Sequence, residues 1–237
     1  MITVFGVPTP REALATNFER PERAGSLWQG VPHQTLANRV VESLEKRGAE
    51  VIKEKWSVDK SGYQLVGGVL LNLPHVDKIE GQNYALGLQH SNDTKRAIKL
   101  SCGSEVMACN NGVLTGSFIL TRRHTTGVNL EEEVEKGADR FFEEAMNVKQ
   151  VIDDIKAVKI TTRRKDHILM NAGRDGLLPW SHLGYVDKEY INPTTACFKE
   201  WKNSGWGLYN AFNEVIKRSS PMRQLESLNG FRELVLN

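Results

Sequence analysis

Gln89-His90-Ser91-Asn92-Asp93-Thr94-Lys95-Arg96-Ala97-Ile98-Lys99-Leu100-Ser101-Cys102-Gly103 is followed by Glu105-Val106-Met107-Ala108-Cys109-Asn110-Asn111-Gly112-Val113-Leu114, and the run closes on Thr121-Arg122-Arg123-His124-Thr125-Thr126. Short apolar stretches alternate here with turn formers: Ser91 to Thr94, Gly103, and the Asn110-Asn111-Gly112 triplet. The Asn-Gly pair signals a hairpin, because both residues tolerate positive φ. The spacing predicts strands over 96–101, 105–109 and 113–122. Strands this close together cannot be joined by parallel crossovers, so antiparallel pairing is expected.

Upstream, three more runs read as strands, at Glu50 to Val58, Tyr63 to Leu71 and Asn83 to His90. Gly67-Gly68 inside the second suggests a bulge. Before them, Leu36, Val40, Val41 and Leu44 recur at helical spacing, with Gly48 placed to close a helix over 34–47. Pro8 to Phe18 reads as a short helix or a turn-rich arm. Downstream the chain changes character. Asn129 is placed to cap a long helix whose first turn holds Glu131, Glu132 and Glu133, acids that complement the helix dipole. Val134, Ala138, Phe141, Phe142, Ala145, Val148, Ile152 and Ile155 form its apolar face. A helix over Thr161 to Asn171 breaks at Gly173 and Gly176, and loops are expected around Pro179-Trp180 and Asn192-Pro193. A last helix over Gly205 to Arg218 is closed by Pro221. The pattern is α+β: an antiparallel sheet in the first half, packed with long helices from the second half. We expect a single domain over 1–237, with residues 160–237 as a helical C-terminal subdomain.

The chain has 237 residues, 40% hydrophobic and 25% charged, enough to bury a sizeable core. No apolar run approaches the roughly 20 residues of a membrane span, and the start lacks the pattern of a secretory signal. A cytoplasmic protein without a membrane partner is expected. Its three cysteines (Cys102, Cys109, Cys197) are odd in number, which favours reduced thiols. Net charge is only +2, but it is segregated. Lys95, Arg96, Lys99, Arg122 and Arg123 stand against Asp93 and Glu105 in 89–127, and Lys159, Arg163, Arg164, Lys165 and Arg174 against Asp166 in 159–174. Between them lie Glu131, Glu132, Glu133, Glu135, Asp139, Glu143, Glu144, Asp153 and Asp154, with only Lys136, Arg140 and Lys149 opposing. Such segregation suggests one positive face and one solvated acidic helix.

With these elements placed, a family resemblance becomes visible. It is carried by Ser91-Asn92-Asp93 before a strand, by Gly103 leading into Val106-Met107-Ala108-Cys109-Asn110-Asn111-Gly112, and by Arg123-His124 before the acidic helix. They resemble the phage/plasmid-like family known as domain of unknown function 932, with Asn110 standing as an extra residue between Cys109 and Asn111. Val31-Pro32-His33 looks like the family's opening. Gly205-Trp206-Gly207-Leu208-Tyr209-Asn210-Ala211 looks like its closing helix. The resemblance implies a mobile-element origin and brings no activity with it.

Candidate chemistry is sparse. Cys102, Cys109 and His124 do not have the spacing of a zinc site, so no metal is expected. Cys109 with His124 would make a thiol nucleophile and its base, activated by Arg122 and Arg123, but no oxyanion hole or orienting acid accompanies the pair. Nucleotide fingerprints are missing, and no cofactor is expected. The candidate anion contacts are Lys95, Arg96, Lys99, Arg122, Arg123 and His124, with Arg163, Arg164 and Lys165. Such side chains neutralise phosphates without reading sequence. Tyr84, Phe118, Trp180, Trp201 and Trp206 are candidate stacking platforms, although core packing suits the C-terminal tryptophans better. The leading expectation is a non-catalytic protein that binds single-stranded nucleic acid. Antiparallel strands followed by a long helix look like the arrangement of single-strand annealing recombination proteins, which act as homo-oligomers without ATP. The rival expectations are an inhibitor of a host defence protein, using the acidic helix as a DNA-mimicking face, and a cryptic Cys/His hydrolase.

Overall fold

A computed structural model of the chain describes residues 7–17, 19–106, 112–114, 119–123, 125–127, 129–219 and 221–237. Among these residues one antiparallel sheet is built from β1 (Val7–Pro8), β2 (Glu50–Val58), β3 (Gln64–Asn72), β4 (Gln82–Ser91), β5 (Ile98–Val106), β6 (Gly112–Leu114) and β7 (Leu120–Arg122). The strands follow one another as a meander from β1 to β6, and β7 returns to the β5 edge. The helices are α1 (His33–Glu45), α2 (Leu130–Ala157), α3 (Thr162–Arg174), α4 (Trp180–Ile191), α5 (Gly205–Ile216) and α6 (Pro221–Leu236). The protein is therefore α+β, with the sheet in its first half and long helices in its second.

Alternation along the strands gives the sheet two unlike faces. Trp56, Leu65, Val69, Leu71, Tyr84, Leu86, Leu88, Ile98, Leu100 and Cys102 point to one side and are buried there. That side receives α1 through Leu36, Val40, Val41 and Leu44, and α2 through Val134, Ala138, Phe141 and Ala145. Contact is close: a Cβ added to Gly137 of α2 would lie 3.0 Å from Leu100 Cδ1, and the Cys102 thiol reaches the Phe141 carbonyl at 3.7 Å. The other face carries Lys55, Ser57, Gly68, Gly87, Gln89, Lys99, Ser101, Gly103 and Thr121, which are small or polar, together with the buried aliphatic Val66 and Leu70. The apolar core continues from α2 into α5 and α6, where the Phe212 and Phe231 rings stack 3.9 Å apart. Each buried Leu, Ile or Phe of this core contributes about 1.5–3 kcal/mol.

Several expectations are corrected. The stretches 96–101 and 105–109 are not two strands: β5 runs unbroken from Ile98 to Val106, with Gly103 paired to Ala85 and to Leu114. A glycine flanked by strands on both sides continues the ladder instead of ending it. Conversely, 113–122 is not one strand. Leu114 faces Gly103 whereas Leu120 faces Leu100, so six residues of chain cover three of β5, and the edge divides into β6 and β7. The turn expected at Asn110-Asn111-Gly112 lies outside the described residues except for Gly112, which already pairs with Glu105.

Gly67-Gly68 is not a bulge, because the β3–β4 register passes through it unshifted. Gly67 instead makes room for the Trp56 indole, whose Cε3 lies 2.0 Å from where a Cβ would sit. The register shift falls between Val51 and Lys53. In the helical half, α3 continues through Gly173 and ends at Arg174, while Gly176 adopts φ 67° just beyond. The supposed loops around Pro179 and Asn192 bracket α4. Pro221 opens α6 instead of closing its predecessor, since the first turn of a helix needs no N–H from that residue.

Candidate functional site

The cationic residues near β5 stand at the end of a chain of buried polar contacts. Asn92, fully buried, accepts from Val31 N at 3.0 Å and donates to Val31 O at 2.9 Å, pairing with that backbone as a strand would. His90 Nε2 also meets Val31 O at 3.1 Å, and His33 Nε2 meets Gly62 O at 2.9 Å, with the two rings edge to face 5.0 Å apart. Burial lowers the pKa of His33, against the Gly62 hydrogen bond and the charge of Asp59. Val31-Pro32-His33 and Ser91-Asn92-Asp93 are thus a single structural unit that locks the arm before α1 to the end of β4.

Asp93 then fixes the following turn. It accepts from the Ser91 hydroxyl, from Lys95 N at 3.1 Å and from Gln64 Nε2 at 3.1 Å, and it pairs with Lys95 Nζ at 2.9 Å. Burial pushes its pKa up, but these partners outweigh it and hold the carboxyl at about 2. Thr94, inside the turn, is held at φ 68°, a strained conformation for a β-branched residue. The turn delivers Thr94, Lys95 and Arg96 to the rim of a cleft.

That cleft has a volume of ≈ 900 Å³. Its cationic lining is Arg23, Lys95, Arg96, Lys99 and Arg123, with Trp28, Thr121 and Thr125 beside them and Glu226 of α6 as its carboxylate. Strand alternation explains this selection: Lys99 and Thr121 face each other across β5 and β7 on the side away from α2. The wall formed by 23–28 is held by the Arg20 guanidinium on Gly25 O at 2.8 Å, by the Trp28–Thr125 bridge, and by Thr126 N on Leu27 O at 2.7 Å. Trp28 is half-buried, and Leu27 is 64% exposed. Glu226 Oε1 sits 2.6 Å from Lys99 Nζ and 3.3 Å from Arg96 Nη1. Burial raises its pKa, Lys99 and Arg96 lower it, and the cations prevail.

Of the predicted anion contacts, Lys95, Arg96, Lys99 and Arg123 come together here. Arg122 does not: one residue along the strand it points the opposite way, facing Ile98 on the helix side, and pairs with Glu133 of α2. His124, Cys109 and Phe118 lie outside the described residues. The α3 group disperses. Arg163 is exposed, Arg164 donates to Val235 O at 3.2 Å, and Lys165 is buried against Asp187 and Asp166. These two carboxylates raise the Lys165 pKa against the effect of burial. Val235 lies nine residues along α6 from Glu226, about 13 Å at the helical rise, so α3 is separated from the cleft.

Among the expected aromatics, Tyr84 and Trp206 are buried. Lys156 Nζ lies over the Trp201 and Trp206 rings at 5.3 and 5.6 Å, and Trp180 is 53% exposed on α4. None of the four lines the cleft. Arg23, Trp28 and Glu226 were missed by sequence reasoning, because they sit 67 or more residues from the basic run they join. Among the described residues, no cluster of three His, Cys, Asp or Glu is arranged to hold a metal ion, and no helix is long and apolar enough to cross a membrane.

The buried Val31/Asn92 lock joins two of the stretches behind the family resemblance, Val31-Pro32-His33 and Ser91-Asn92-Asp93. The family model described as Domain of unknown function (DUF932) matches residues 23–234, and the chain belongs to that family. Neither the curated proteins nor the solved structures yield a match.

Proposed function

We propose that this chain binds nucleic acid and that single strands lie in the cleft between the β5–β7 edge, the arm at 23–28 and α6. The observation that carries the reading is the cleft's charge: five lining cations (Arg23, Lys95, Arg96, Lys99, Arg123) against the single lining carboxylate Glu226. Cations so arranged neutralise successive phosphates without reading sequence, and Thr121 and Thr125 add hydroxyl donors. Trp28 offers a ring to an unpaired base, which duplex DNA would not present. No bond-making step is assigned to the chain.

The same reading extends to a phage or plasmid protein of the bacterial cytoplasm that anneals single strands in recombination, as a homo-oligomer and without ATP. Its support is the order of strands and long helix together with the cleft's charge. The inhibitor reading requires a bare acidic helix. Instead its first half is matched: Glu131 pairs with Arg39, Glu132 with Lys136, Glu133 with Arg122, and Glu135 and Asp139 with Arg47, while Glu143 and Glu144 make no such pair among the described residues. That favours the cleft.

Fluorescence anisotropy with a labelled single-stranded oligonucleotide, across a salt series, tests the proposal. Wild type binds with affinity that falls log-linearly with salt, and Arg23→Glu/Arg123→Glu loses at least 100-fold while its melting temperature holds. A wild type silent at low salt, or a double variant that binds as tightly as wild type, refutes it.

A further inference from the structure

Glu226 occupies an unusual position for a surface carboxylate. It comes from α6, the last helix, yet it ends between Arg96 and Lys99 of the β5 region, 130 and 127 residues earlier in the chain. One oxygen, Oε1, takes both contacts, at 3.3 and 2.6 Å. A phosphate oxygen bound by an arginine and a lysine would have the same partners at the same kind of distance. Both cations also line the cleft, as does Glu226 itself.

The rest of α6 is held independently of this contact. Phe231 stacks on Phe212, Arg164 donates to Val235 O, and Gln224 donates to Ser219 O at 2.9 Å. The helix therefore has anchors that do not need Glu226, and its carboxylate can leave the two cations while the helix stays docked. Among the described residues the other carboxylates that bridge two cations, Glu133 with Arg122 and Lys136 and Glu135 with Arg47 and Lys46, lie on α2 and do not line the cleft.

We infer that Glu226 is an internal substitute for a ligand phosphate: it fills a phosphate subsite made by Arg96 and Lys99, and α6 thereby competes with nucleic acid for the cleft. The inference rests on the nucleic-acid reading of the cleft and adds a subsite and an autoinhibitory contact to it. A bound strand must displace the carboxylate, so part of the intrinsic affinity is offset by the lost ion pairs. The wild-type salt dependence is correspondingly shallow, because two of the cleft's cations carry a protein counter-charge before any phosphate arrives.

The experiment is anisotropy titration of a labelled oligothymidylate with wild type, Glu226→Gln, Glu226→Asp and Glu131→Gln. The last removes the same charge from the Arg39 pair on α2, remote from the cleft. Glu226→Gln should bind roughly tenfold more tightly at low salt, with a slope steeper by about 0.7 for each cation released to a phosphate. Glu226→Asp keeps the charge but withdraws it by one methylene, and should give a smaller gain. Glu131→Gln should match wild type, and melting curves confirm that each variant is folded. If wild type binds and Glu226→Gln binds no better than Glu131→Gln, the inference is overturned and the nucleic-acid reading stands. Should none of the four bind at low salt, both fall together.

Discussion

Two charged regions of this molecule are built from the same residue types and differ in how the charges are matched. Along α1 and α2 the cations meet carboxylates one against one or two: Arg39 with Glu131, Arg47 with Glu135 and Asp139, Lys136 with Glu132. In the cleft, Lys95 meets Asp93 and Glu226 serves both Arg96 and Lys99, but among the described residues no carboxylate lies within ion-pair reach of Arg23 or Arg123. A matched ladder fastens two helices together and presents little net charge. An unmatched cluster leaves positive potential focused in a concave wall, which attracts anions. The first region is read as stability and the second as binding, and mutations should separate the two roles.

Asp93 tests the boundary most strongly, since it lies at the cleft but behaves like a ladder residue. Its pKa of about 2, against an ordinary 3.8, means that its charged form stabilises the fold above about pH 4 and that this stability is lost as pH falls toward 2. Asp93→Asn should cost about 2 kcal/mol at pH 7 in urea unfolding, flatten the acid limb of the stability profile, and weaken strand binding by loosening the turn that carries Lys95 and Arg96. His33 acts at milder acidity. Its pKa is depressed below 6.5, so folding favours the neutral ring; its contribution is complete above that value and declines as pH falls through it. Wild type should lose stability as pH falls below 6.5, and His33→Gln should remove that slope.

In the ladder itself, Arg47→Ala should lower stability by about 1 kcal/mol, having two carboxylate partners and partial burial, while strand binding stays at the wild-type level. The smallest effect divides neighbours. Arg122→Ala should cost about 0.5 kcal/mol through its Glu133 pair and leave affinity alone, whereas Arg123→Ala should weaken binding and leave the melting temperature alone. Binding that depends on Arg122 as much as on Arg123 would erase the distinction between the two regions.

The Arg122-Arg123 pair also shows what the sequence made legible. Hydrophobic spacing marked β2 to its ends, α1 to within two residues, and the buried stripe of α2 down to Ile155. Local period carries that information. The basic run was visible as composition, but which of its members share a face depends on where the strand begins. Taking 113–122 as one strand hid the three-residue slip that separates β6 from β7. Glycine and proline misled in the same way: Gly103 and Pro221 are strong local punctuation, and each was overruled by its surroundings, a ladder on both sides of Gly103 and a helix start at Pro221. Arg23, Trp28 and Glu226 had no local signal at all, since the contacts that bring them to Lys99 and Arg123 span the whole chain.

On the proposed function, the unmatched cations of the cleft, and not the ladder, bind nucleic acid. The direct measurement is a salt-series anisotropy titration of one labelled single strand with wild type and two variants of equal charge loss, Arg23→Ala/Arg123→Ala in the cleft and Arg39→Ala/Lys46→Ala in the ladder. The cleft variant should lose about 1.4 units of salt slope, two contacts at about 0.7 each, while the ladder variant keeps the wild-type slope. Equal losses in the two variants would contradict the proposed function, because binding would then follow net charge and not the cleft.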